Sequence, residues 1–172
     1  RMTTLATHET RFFLERQVGA PEIIEFESGR TVVYSCGCPG KVEPNDDGAI
    51  VIPVSGDGLV LGVADGMGGS PYGYKASAIA LQCLAETLSA HDHQADLRPA
   101  ILDAIEDANA EILDLGTGSA TTLSVVEIRD RVARAYQVGD SMSLIVGGRG
   151  TVIWKSASHS PEGFLMESGM IA

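Results

Sequence analysis

Three short stretches carry aspartates where carboxylates from distant parts of a chain can converge. The first is Glu43-Pro44-Asn45-Asp46-Asp47-Gly48, just before an apolar β-rich run. The second is Asp65-Gly66-Met67-Gly68-Gly69, just after such a run and ahead of a helical pattern. The third is Val138-Gly139-Asp140-Ser141, between two β-rich runs. Hard divalent cations such as Mg2+ and Mn2+ take oxygen ligands and keep several waters. Aspartate is short and delivers its carboxylate close to a strand end, while a neighbouring glycine lets the backbone approach the same ion. Two such ions about 4 Å apart can activate a water and neutralise phosphate charge together. Singly, each stretch is an ordinary Asp-Gly turn; order, context and spacing together give them weight.

The elements that must position these residues can be read from periodicity. Residues 22–26 and 30–35 read as short strands around the Ser28-Gly29 turn, and residues 11–16 as either a short helix or an edge strand. Residues 49–54 and 59–64 are β-rich and separated by Ser55-Gly56-Asp57-Gly58, a hairpin signature. From Ala76 the period changes: Ile79, Ala80, Cys83, Leu84 and Leu88 fit one helix face. A second helix begins near Asp96, runs through Leu97, Ile101, Ala104, Ile105, Ala108 and Ile112, and closes at Gly116. Strands return over 121–128, 132–138, 142–146 and 151–154. Strands, then two helices, then strands predict a layered α+β domain, with the helices antiparallel on one sheet face.

Composition bounds the rest. The 172 residues form one domain, 44% hydrophobic and 20% charged, which suits a folded globular chain. A net charge of -11 would repel nucleic acid and anionic lipid, so neither is expected as a partner. It would also repel a phosphorylated substrate unless positive charge, such as bound cations, is concentrated locally. No apolar run approaches the ~20 residues of a membrane span. Three cysteines, Cys36, Cys38 and Cys83, form no disulfide framework and point to a reducing compartment, hence a cytoplasmic location.

Five segments in order resemble the metal-dependent serine/threonine phosphatases of the type 2C (PPM) family. Leu61-Gly62-Val63-Ala64-Asp65-Gly66-Met67-Gly68-Gly69 resembles that family's strand-then-DGxGG motif, and Asn45-Asp46-Asp47 its upstream Asn-Glu/Gln-Asp motif. Gly118-Ser119-Ala120-Thr121-Thr122 is similar to the segment that opens a central strand, and Val138-Gly139-Asp140-Ser141 to the VGDS motif. Ser158-His159-Ser160, with Gly169-Met170-Ile171, is similar to the stretch that follows. The resemblance implies a β-sandwich flanked by antiparallel helix pairs (αββα) and hydrolysis of serine/threonine phosphate monoesters on proteins. It implies two Mg2+ or Mn2+ ions, with a third, weaker site in some members, and a metal-bound water as nucleophile. Asp47 would hold one ion, Asp65 would bridge both, the Gly66 carbonyl would bind the second, and Asp140 would serve the third.

Departures from the family pattern are equally specific. Val42 stands where the family places a phosphate-gripping arginine; Lys41, next to it, is the substitute or else a surface lysine. Met67 stands where some relatives have a histidine. The family's two later metal aspartates have no counterpart after Asp140, so the αββα domain reads as incomplete. A missing C-terminal segment or a second polypeptide completes the site, or the chain is a naturally short, non-catalytic binding or regulatory module. Residues 1–29 read as an N-terminal extension or first strands of the one domain spanning 1–172. Cys36-Gly37-Cys38 is too tight for a zinc half-site, His91-Asp92-His93 reads as a solvated inter-helix loop, and Pro71-Tyr72-Gly73-Tyr74 as packing at the site's rim.

Overall fold

In a computed structural model, residues 9–16, 20–27, 29–40, 44–67 and 72–159 are described. A five-stranded antiparallel sheet organises them, in the order β1-β4-β5-β6-β7. The strands are β1 (Arg11–Leu14), β4 (Asp47–Val54), β5 (Gly58–Asp65), β6 (Leu123–Arg129) and β7 (Val132–Val138). Two hairpins stand apart from it, β2 (Glu22–Phe26) with β3 (Gly29–Val33), and β8 (Leu144–Val146) with β9 (Val152–Lys155). Between β5 and β6 run α1 (Gly73–Ala90) and α2 (Arg98–Asp114), packed on each other.

Strand parity sorts side chains into two layers. Ile50, Ile52 and Val54 of β4, Val60 and Ala64 of β5, and Leu123 and Val125 of β6 join the helices in the main core. Helix α1 meets this face, with Ala80, Leu81, Leu84 and Leu88 in the core, and α2 packs on α1, adding Ala100, Ile101, Ala104 and Ala108 to the same core. Small alanines at helical spacing allow close approach, and the leucines fill the space over the sheet. α2 starts with a proline in its first turn, and Asp96 Oδ1 accepts from the Arg98 N–H at 3.2 Å.

The opposite face carries a smaller cluster. Phe13, Val51 and Leu59 pack there with Ile24 of the β2–β3 hairpin. Further along, the β8–β9 hairpin lies near Val126, Ala133 and Ala135, which line a cavity with Leu144, Ile145 and Trp154. The described residues thus form a helix layer, a central sheet and a partial second strand layer. The expected α+β layering and the helix pair on one face are present; a second helix pair is not among the described residues.

Within the ambiguous stretch 11–16, Arg11–Leu14 form the edge strand β1, paired antiparallel with β4 from Arg11↔Val51 to Leu14↔Gly48. Four residues hold too little periodicity to choose a structure alone; the non-local pairing and burial of Phe13 decide it. Helix α1 begins at Gly73, three residues before the expected Ala76. Among the described residues no helix is long and apolar enough to cross a membrane.

Candidate metal site

Asp47 opens β4 and Asp65 closes β5, and the register sets them directly opposite each other. The next pair carries a ladder bond, Gly66 N–H to the Asp46 carbonyl at 3.2 Å. Hydrogen-bonded and non-bonded pairs alternate, so Asp47 and Asp65 form a non-bonded pair, whose Cβ atoms stand about 4.5–5.5 Å apart. Both share parity with Val51 and Leu61 and therefore stand on the face away from the helices. Both are exposed. Two like charges facing each other across a ladder repel, and a cation between them would offset that repulsion.

Asp46 is turned differently. A Cβ built on Gly73, the first residue of α1, would lie 2.8 Å from Asp46 Oδ1. That carboxylate therefore sits at the positive end of α1. Of the adjacent aspartates, the one facing Asp65 is Asp47.

Asn45 anchors this turn. It is buried, its Nδ2 donates to the Arg16 carbonyl (3.1 Å) and to Ser35 Oγ (2.8 Å), and its Oδ1 accepts from the Asp47 N–H (3.2 Å). The sequence signal is an Asn two residues ahead of the backbone N–H it caps. Gly66 has no room for a side chain, since a Cβ there would fall 2.2 Å from the Gly73 carbonyl oxygen and 2.9 Å from that of Asp46.

Asp65 is held from its other side by Thr122. The Thr122 N–H donates to the Asp65 carbonyl (2.9 Å), and Thr122 Oγ1 accepts from the Asp65 N–H (3.0 Å). Periodicity alone marks Thr122 only as the beginning of a strand; its hydroxyl contacts depend on pairing across 57 residues.

Asp140 is exposed in the turn after β7. Gln137 Nε2 donates to the Gly139 carbonyl (3.4 Å) and to that of Ser141, and the His159 N–H donates to the Gly139 carbonyl (2.8 Å). The structure does not gather Asp140 with the other two: among the described residues no group of three or more His, Cys, Asp or Glu side chains is placed to hold a metal ion. Lys41, expected at the substrate phosphate, lies outside the described residues, as do Gly68 and Gly69 and the expected Gly169-Met170-Ile171 stretch.

The remaining expectations fall to structure. His91 Nε2 is 3.1 Å from the Asp96 carbonyl within the inter-helix loop, and His93 Nε2 is 2.8 Å from the Leu88 carbonyl in the last turn of α1, so both rings are engaged by the backbone around that loop. Tyr72 and Tyr74 flank the Lys75 ammonium at 4.6 and 6.0 Å. All three cysteines are free thiols.

The donor set present, two facing carboxylates beside a glycine backbone, fits a hard divalent cation in chemistry. It supplies only part of a coordination sphere.

A family model described as protein phosphatase 2C matches residues 40–163. The chain belongs to the protein phosphatase 2C family. Among solved structures it is similar to the Streptococcus agalactiae serine/threonine phosphatase, with a TM-score of 0.66 and 22% identity over 95% of this chain. It is also similar to the Mycobacterium tuberculosis serine/threonine phosphatase PstP/Ppp, with a TM-score of 0.56 and 22% identity over 95% of this chain. A structure of the PstP catalytic domain in complex with two manganese ions matches with a TM-score of 0.59 and 21% identity, again over 95% of this chain. The chain spans 62%, 60% and 62% of those three chains, respectively. These likenesses establish the fold. No curated protein sequence matches the chain.

Proposed function

We propose that this chain is part of a cytoplasmic signalling enzyme that hydrolyses serine and threonine phosphate monoesters on proteins. The reading rests above all on Asp47 and Asp65 facing each other at the ends of β4 and β5 in a member of this family. Asp47, Asp65 and the Gly66 carbonyl would hold Mg2+ or Mn2+, two ions in the complete site, and Asp140 would serve a third. When bound, such ions supply Lewis acidity to phosphate oxygens and make hydroxide available near neutral pH.

The chain's own residues do the positioning. Asn45 fixes the backbone from which Asp47 projects, and Thr122 fixes that of Asp65. With Gly66 bare of side chain, the ladder end packs against the first residue of α1. The net charge of -11 makes local neutralisation a condition for phosphate approach, and Lys41 is the cation nearest in sequence to the Asp47 turn. The full-length protein should hydrolyse an aryl phosphate and a phosphothreonine peptide only with Mn2+ or Mg2+. Asp65→Ala should abolish that turnover; unchanged turnover would rule out the mechanism.

A second reading, a phosphatase-like binding module completed or regulated by another polypeptide, is favoured by the lack of a three-ligand group among the described residues. It predicts no metal-dependent turnover by the full-length protein, with or without Asp65.

A further inference from the structure

We infer that Thr122 is a positioning residue that clasps the strand end bearing Asp65 to the turn bearing Asp140, setting how the two carboxylates lie relative to one another. The inference deepens the metal-site reading above and rests on it for its consequence, though not for its geometry.

Thr122 Oγ1 accepts from the Asp65 N–H at 3.0 Å and lies 2.6 Å from Ser141 Oγ. Its main-chain N–H donates to the Asp65 carbonyl at 2.9 Å. The methyl group contributes as well: a Cβ on Gly139, whose φ is +89°, would come within 2.8 Å of Thr122 Cγ2. The residues on both sides of Asp140 thus adjoin one threonine side chain: Ser141 meets its hydroxyl, and beside its methyl Gly139 has no room for a Cβ. That same hydroxyl reaches the backbone of Asp65. Threonine suits this place because β-branching fixes χ1 and holds both groups in one orientation. Outer-shell groups that orient ligands change metal affinity by roughly 10–100-fold when removed.

An internal control lies two residues along the same strand. Ser124 Oγ is 2.8 Å from Ser143 Oγ, and Ser124 is buried. This hydroxyl pair also ties β6 to the segment after β7, but neither serine adjoins an aspartate. A purely structural role for Thr122 would make the two pairs equivalent.

Thr122→Val keeps the shape and removes the hydroxyl; Thr122→Ser keeps the hydroxyl and removes the methyl. Mn2+ binding to the full-length protein, followed by the loss of free-ion paramagnetic resonance, should weaken about 10-fold or more in Thr122→Val. It should stay within about threefold in Thr122→Ser and Ser124→Ala, although Ser124→Ala should lower the melting temperature. Amide hydrogen exchange should quicken together at Asp65 and Ser141 in Thr122→Val. Unchanged Mn2+ affinity in Thr122→Val, or an equal loss in Ser124→Ala, would overturn the inference. Absence of Mn2+ binding in the wild type would overturn the metal reading instead. Exchange would then judge the clasp, and unaltered exchange at Asp65 and Ser141 would refute it.

Discussion

Gly66 illustrates how much one position can be constrained by its neighbours. Any side chain there meets the Gly73 carbonyl at 2.2 Å, which is backbone and cannot step aside. Gly66→Ala should therefore destabilise the fold by about 1–3 kcal/mol, read as a lowered melting temperature, and should loosen the Asp46–Gly66 ladder bond. Cys83 makes a separate prediction. It is 4% exposed, and burial first, then the nearby Glu111 carboxylate, pushes its thiol up to about 11 from 9.0. A raised folded-state value means stability that is full below pH 9 and is lost as the pH climbs toward 11. Unfolding free energy should fall across that window, with a shallower slope in Cys83→Ala. The Asp-Gly and Gly-Asp-Ser signatures were legible because turn chemistry is local. Thr122 was not legible as an anchor, because its partner lies 57 residues away, and Asn45 only in part, because its bond to the Asp47 N–H is local while its bond to the Arg16 carbonyl spans 29 residues.

At the scale of elements, helix α1 is the piece on which the sheet depends. Its Leu81 and Leu84 are fully buried against the sheet, where a Cβ on Gly62 of β5 would touch both side chains. Leu84→Ala should cost about 2–5 kcal/mol by equilibrium denaturation, an effect expected of a core cavity. The helices and the β4–β5 hairpin were readable from period and turn residues, since amphipathic spacing and Ser55-Gly56-Asp57-Gly58 are local signals. The start of α1 was not. Glycine and tyrosine at 72–74 are poor helix signals, and what extends the helix is tertiary: close packing of Gly73 on Asp46, Gly66 and the Met67 carbonyl. The edge strand β1 needed its partner β4, and the ion pairs of Arg11 and Arg16 with Glu22 tie it to the neighbouring hairpin.

For the whole molecule, the helix layer and central sheet present two facing carboxylates at one end of the sheet, on the face only partly covered by hairpins. Like charges directly opposite on a ladder repel, and a shared cation would offset that repulsion, so function and stability are coupled at this spot. Thermal unfolding of wild type and Asp65→Asn, each in EDTA and in excess Mn2+, tests that claim most directly. In EDTA the variant, relieved of like-charge repulsion, should melt higher by about 1–3 °C. In Mn2+ the order should reverse, because only the wild type gains stability from binding. An equal Mn2+-induced rise in both proteins would contradict a cation shared between Asp47 and Asp65.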